Sequence, residues 1–235
     1  GIPTAAEPAI YAPFSLLPID PIQREGLLVD AARQCSVSSD AIEDVYPATP
    51  LQEGVFLMST THNGAYVAPT AFRLPAGFDV ARFQKAWQVL VNTHPILRTR
   101  LVTIDATSHQ VVLTPSASCL QWEQAPSSSD YLTRIQALSV VAGAPLSHYA
   151  LISEGESTVF IWTSHHALFD GWTVELLLDQ LAQLYTQDLS PTITPSYAQF
   201  VQFIQNSDQN ASRNFWASLV PQEPPATFPR LPSAA

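Results

Sequence analysis

Apolar residues recur along the chain at two periods, and the alternation between those periods predicts its elements. Leu27, Leu28, Ala31 and Ala32 fall on one side of a helix over about 22–34. Thr49-Pro50-Leu51-Gln52 is a helix start, with Thr49 as N-cap, Pro50 at the first helical position and Gln52 closing a capping box; this helix runs to about Met58. Residues 65–74 read as a strand. Asp79 caps a helix carrying Phe83, Trp87, Leu90 and Val91 at the 3.6-residue period, and Pro95 ends it at His94. Residues 96–104 and 109–114 read as a hairpin turning through 105–108. The polar stretch 113–129 is irregular apart from Trp122. A helix follows over 130–141 with Tyr131, Ile135 and Leu138 inward. His148–Ile152 and Thr158–Ser164 are strands joined by Glu154-Gly155-Glu156, and the continuous apolar run Val159–Trp162 marks the second as a central strand. Val174, Leu177, Leu178, Leu181 and Leu184 line a long helix over about 172–187, and two more helices fill 196–206 and 208–219. This order predicts one α/β domain with a central mixed sheet flanked by helices.

Proline sets the limits of that domain. Pro3, Pro8, Pro13, Pro18 and Pro21 make 1–21 an extended linker, although Phe14, Leu16 and Leu17 are expected to pack on a surface. Pro221, Pro224, Pro225, Pro229 and Pro232 make 221–235 a second proline-rich arm, which leaves 22–220 as the folded lobe. The first residue is Gly1, and the chain reads as a piece of something longer. At 46% hydrophobic and 13% charged residues the chain has the composition of a folded protein. Its 10 basic against 20 acidic residues give −10, with Lys85 the sole lysine, which argues against nucleic acid or an anionic membrane surface as partner. No apolar run approaches a membrane span. Cys35 and Cys119 read as two reduced thiols of a cytoplasmic protein.

The candidate chemistry lies in Ser164-His165-His166-Ala167-Leu168-Phe169-Asp170-Gly171-Trp172, between the central strand and the long helix. Strand ends are where α/β folds present reactive groups. Adjacent histidines on a strand point to opposite faces, so His165 and His166 cannot share one metal. One should face the core and the other a cleft. Asp170 falls on the side of His166 if the intervening residues turn helically, and Gly171 offers backbone that can approach a ligand. By residue type alone a bland explanation stays open: a capped strand end with a satisfied core histidine. No GxSxG elbow, HExxH or CxxC occurs. Glu25, Glu43, Glu53 and Asp20 read as solvated, and His62, His94, His109 and His148 as ordinary surface or core residues.

The string resembles HHxxxDG, the signature of the acyltransferases that include chloramphenicol acetyltransferase and the condensation domains of nonribosomal peptide synthetases. Asp44 to Gly54 resembles the opening motif of condensation domains, and His94-Pro95-Ile96-Leu97-Arg98-Thr99-Arg100 resembles their second. Together the motifs cover about residues 14–232, in wording most similar to fungal synthetases. The resemblance implies a chloramphenicol acetyltransferase-like lobe, the N-terminal of the two that make a condensation domain, with 1–21 leading from an upstream carrier and 221–235 leading to the second lobe. It implies that His166 is catalytic, that His165 is structural, that Asp170 forms a buried ion pair with Arg98, and that the Gly171 backbone N–H faces a developing oxyanion. It also implies transfer of an aminoacyl or peptidyl group from a phosphopantetheine thioester to the amine of an acceptor carrier. The phosphopantetheine arrives on upstream and downstream peptidyl carrier domains; no metal and no directly bound cofactor is implied.

A lone lobe leaves half of the tunnel unbuilt, so the face around His166 is expected to be open, apolar and prone to self-association. Two other readings compete. A stand-alone trimeric acetyltransferase using coenzyme A fits the length, but 64 residues follow Gly171 here, where those enzymes carry the motif near the C-terminus. A non-catalytic carrier-docking lobe, or a terminal cyclising domain, fits the fold; His at 165 favours elongation over cyclisation.

Overall fold

The computed structural model describes residues 11–187 and 195–220. In chain order its elements are α1 (Pro21–Cys35), β1 (Ile42–Pro47), α2 (Pro50–Thr61), β2 (Val67–Leu74), α3 (Val80–Thr93), β3 (Thr99–Ile104), β4 (Thr107–Leu113), β5 (Trp122–Glu123), α4 (Ser128–Gln136), β6 (Ser147–Glu154), β7 (Ser157–His165), α5 (Gly171–Gln187), α6 (Tyr197–Gln205) and α7 (Gln209–Leu219). The chain divides into two compact units, residues 1–201 and 202–235. In the second unit, Asp208 caps α7 by accepting from the Asn210 and Ala211 N–H groups.

The strands form two sheets. One is mixed and four-stranded, in the order β2-β7-β6-β5, with β5 parallel to β6 and the other pairs antiparallel. The other is antiparallel, in the order β1-β4-β3. The central strand read from 158–164 is therefore β7, and it is apolar on both faces for a physical reason. Phe160 and Trp162 join Trp87 and Leu90 of α3 and Leu177, Leu181 and Leu184 of α5 in one cluster. Val159 and Ile161 face the other way, against Tyr131 and Ile135 of α4.

Three local expectations change. The stretch 96–104 is not strand throughout, because Pro95–Arg98 makes a 3-10 turn that directs the Arg98 side chain inward before β3 begins. The helix expected over 130–141 is displaced to Ser128–Gln136. Ser127 caps it by accepting from the Asp130 N–H at 3.1 Å, and past its end the Leu138 carbonyl accepts from Gly64. β1 and β5 have no counterpart in the periodicity; β5 is two residues long.

The end of the first arm is packed down. Leu16 and Leu17 are buried, and the Asp44 carboxylate on β1 accepts from the Tyr11 hydroxyl and, at 2.7 Å, from the Phe14 N–H. The caps follow the residues that predict them. The Thr49–Gln52 box closes on α2, and Asp20, expected to be solvated, caps α1 by accepting from Ile22 and Gln23 at 2.9 Å each.

Candidate functional site

β7 runs through the middle of its sheet and delivers two histidines at its end. Alternation sends them to opposite sides: His165 is 1% exposed, and His166 is exposed. The two imidazoles therefore meet different chemistry.

His165 is held at both nitrogens. The Ala167 N–H donates to its Nδ1 at 3.1 Å, which fixes the proton on Nε2. Nε2–H then donates to Ser59 Oγ at 2.6 Å, and that hydroxyl donates onward to the Val55 carbonyl at 2.6 Å. Burial, with a smaller contribution from neighbouring His166, pushes its pKa down from the ordinary 6.5 to about 4. His165 is a neutral, saturated imidazole with no lone pair to offer a reactant.

His166 is anchored through its backbone and through ring contacts. Its N–H donates to the Tyr66 carbonyl at 2.9 Å. Its ring stacks on Phe169 with centroids 4.9 Å apart and planes 18° from parallel, and it meets the Tyr66 ring edge-on at 6.4 Å. Phe169 is itself seated against buried Trp162 at 5.4 Å. The imidazole opens into a pocket of about 200 Å³ whose walls include Leu51, Gln52, Ile96 and Tyr197. Tyr66 and Phe169 went unnoticed in the sequence because aromatic residues carry no spacing rule of their own. Tyr66 also sits at φ 56°, a left-handed conformation unusual for a non-glycine residue and enriched where a site imposes it.

The buried Asp170–Arg98 ion pair is absent. Asp170 is exposed, and its carboxylate accepts from the N–H and the Oγ of Thr173 at 2.8 and 2.7 Å, so it caps α5. These bonds hold its pKa below the usual carboxylate range. Arg98 is committed elsewhere. Its Nε donates to the Val91 carbonyl at 3.1 Å, its Nη1 to Glu43 at 2.7 Å and to the Leu113 carbonyl, and its Nη2 to the Asn92 carbonyl at 3.3 Å. The physical reason is local: a helix starting at Gly171 needs a cap, and a guanidinium buried by the 95–98 turn needs the carbonyls around it. Glu43, expected to be solvated, is thus the ionic partner of Arg98.

Gly171 opens α5, where backbone N–H groups have no carbonyl within the helix to bind. A Cβ at this position would meet nothing within 4 Å. Among the described residues no group of three or more His, Cys, Asp or Glu side chains is arranged to hold a metal, and no helix is long and apolar enough to cross a membrane.

The condensation domain family model matches residues 42–235, and the chain belongs to that family. It is 39% identical over 230 residues to an FR901469 synthetase from Dothideomycetidae sp. (strain 11243), covering 97% of this chain and 1% of that protein. It is 36% identical over 228 residues to nonribosomal peptide synthetase gloA of Glarea lozoyensis, covering 96% of this chain and 3% of that one. Among solved structures, the starter condensation domain of rhizomide synthetase RzmA superposes with a TM-score of 0.64 at 17% identity, over 77% of this chain and 52% of that chain. A structure named SeMet-CT gives 0.69 at 22% identity, over 91% and 50%. The chain thus spans about half the length of the solved chains and a few per cent of the synthetases.

Proposed function

We propose that the chain is the N-terminal half of a peptide-bond-forming condensation domain and that His166 is its catalytic residue. In this reading an upstream carrier presents an aminoacyl or peptidyl thioester on its phosphopantetheine arm, and a downstream carrier presents an aminoacyl group with a free amine. The amine nitrogen attacks the thioester carbon, the C–N bond forms, the C–S bond breaks, and the thiol leaves with a proton. The thioester is already activated, so the protein must chiefly align the amine and accept its proton. An exposed imidazole offers a nitrogen suited to either task.

The observation that carries this reading is the contrast at the end of β7. His165 is neutral, buried and hydrogen-bonded at both nitrogens, whereas the His166 ring opens into the pocket. The resemblance assigns Gly171 to oxyanion binding, and its place in the first turn of α5 supports that role. Asp170 acts by capping α5 and His165 by anchoring the strand end, while Arg98 joins the 95–98 turn to β4 through the Leu113 carbonyl.

Leu51, Trp172 and Leu176 are 75%, 69% and 49% exposed. We read them as surface for the C-terminal lobe, which makes this half inactive alone and able to self-associate through the same face. Residues 1–21 would then lead from the upstream carrier and 221–235 toward the second lobe; residues 1–10 and all of 221–235 lie outside the described residues.

The test is condensation by a domain containing this chain and its C-terminal lobe, with loaded donor and acceptor carriers. Product that disappears in His166→Ala supports the assignment. Full activity in that variant removes His166 from the mechanism, and acetylation of small amines from acetyl-coenzyme A by a trimer of this chain would replace the reading altogether.

A further inference from the structure

α2 packs on the histidine strand end with one face, made of Gln52, Phe56 and Ser59 at positions i, i+4 and i+7. Each of these residues touches the motif. Ser59 Oγ accepts from His165 Nε2 at 2.6 Å, and the Phe56 ring meets the His165 imidazole edge-on at 6.4 Å. Gln52 Nε2 donates to the Ala167 carbonyl at 3.0 Å. The two polar ties fall on the residues immediately before and after His166. The N–H of His166 itself is held by Tyr66, five residues beyond the end of α2. Three consecutive residues of the motif are therefore pinned by the single segment 50–66.

We propose that α2 is the brace that aims His166, with Gln52 and Ser59 as its positioning residues; this rests on the reading of His166 as catalytic. The chemistry at Gln52 separates this role from ordinary helix capping. Its Oε1 accepts from the Thr49 N–H at 3.0 Å, which is all that a capping box requires, and a glutamate would serve equally well. Its NH₂ group takes no part in the cap. One hydrogen goes to Gln110 Oε1 on β4 at 2.9 Å and the other to the Ala167 carbonyl. Gln110 in turn donates to the Pro47 carbonyl at 3.2 Å. One buried amide thus ties the loop carrying His166 to the three-stranded sheet, and only a side chain with both an acceptor and two donors can do so. A misplacement of about 1 Å can cost about 100-fold in rate, so the donors matter to the turnover step rather than to carrier binding.

The experiment uses the complete condensation domain with loaded carriers and compares wild type, Gln52→Glu, Ser59→Ala and His166→Ala. Gln52→Glu keeps the cap acceptor and loses both donors. The expected result is a kcat lower by about 10- to 100-fold, with KM for both carriers within about twofold, in a variant of native far-ultraviolet circular dichroism. The deficit should shrink as pH falls, because a protonated carboxyl regains one donor for Ala167; Gln52→Asn, too short to span, should not recover. Ser59→Ala should show the same split between kcat and KM without the pH-dependent recovery. If Gln52→Glu yields no folded protein, Ser59→Ala decides on that split. Wild-type kcat in the folded variants, or a loss confined to KM, overturns the brace while His166→Ala still abolishes activity. Full activity in His166→Ala instead overturns the catalytic reading beneath it.

Discussion

Arg98 and Glu43 meet at 2.7 Å between the 95–98 turn and β1, with the arginine side chain 3% exposed and the glutamate 38%. The arginine does more than pair a charge, since it also donates to three backbone carbonyls at Val91, Asn92 and Leu113. Arg98→Met should therefore cost about 3 kcal/mol or more, because it strands buried acceptors as well as the carboxylate. Glu43→Gln should cost about 1 kcal/mol or less, since that partner is partly solvated. Urea unfolding in a double-mutant cycle checks the pairing. Arg98 and Glu43 should couple by about 0.5 kcal/mol or more, and Arg98 and Asp170 should be additive to within about 0.5 kcal/mol. Coupling between Arg98 and Asp170 instead would restore the ion pair expected from the motif.

Asp170 makes a cap, and caps have a characteristic response to substitution. Asp170→Ala should destabilise by about 1 kcal/mol through loss of the Thr173 N–H acceptor, and Asp170→Ser should recover most of it. A serine that fails as badly as alanine would mean that the charge, not the acceptor, is what the site needs.

What the sequence made legible was local in origin. Capping residues at Thr49 and Asp79, the doubly apolar run of β7 and the alternation of His165 and His166 follow from spacing within a few residues, and each appears where its chemistry puts it. The partners were not legible. Glu43 is 55 residues from Arg98, Ser59 is 106 from His165, and Gln52 is 115 from Ala167. No periodicity relates such positions; the resemblance named Asp170 as the partner of Arg98, and only the fold brings Glu43 to it. β5 escaped notice for a related reason: two residues cannot establish an alternation, and only pairing with β6 makes them a strand.

His165 should make stability depend on pH in a fixed direction. An unfolded histidine takes up its proton below about 6.5, while folded His165 does so only near 4. Between these values the unfolded chain holds more protons, so stability rises with pH. The contribution is complete above 6.5 and is lost as pH falls toward 4, amounting to about 3 kcal/mol. The imidazole carbon resonance of His165 should keep its neutral position down to about pH 5. Titration at the unfolded value would show that the ring is not shielded from water in the folded chain.

The two thiols should separate by reactivity. Cys35 is buried on the inner side of α1, and burial pushes its thiol up in pKa; Cys119 is exposed, and both are free. A disulfide-exchange reagent should modify one cysteine rapidly in the folded chain and the second only on unfolding. Cys119→Ser should abolish the fast phase and leave the slow one. Rapid reaction of both would mean that α1 opens readily from the sheet it covers.

Gly171 has neither of the usual reasons to be glycine. Its φ is not left-handed, and a Cβ there would meet nothing within 4 Å. By contrast, Gly143 lies at φ +77°, and a Cβ added to it would meet the Gln34 carbonyl oxygen at 2.1 Å. In the folded lobe Gly171→Ala should thus be neutral or stabilising by up to about 1 kcal/mol, as alanine outranks glycine within helices, whereas Gly143→Ala should destabilise. In the oxyanion reading, the backbone at 171 is instead what a reacting group approaches. Gly171→Ala should then leave the unfolding midpoint of the lobe unchanged or raised, yet lower condensation in the complete domain. Because a methyl group does not remove the N–H, the loss should resemble steric exclusion and grow with the bulk of the transferred acyl group. Wild-type turnover in Gly171→Ala across small and large acyl groups would mean that no reacting group comes close to this backbone, and the oxyanion assignment would fall with it.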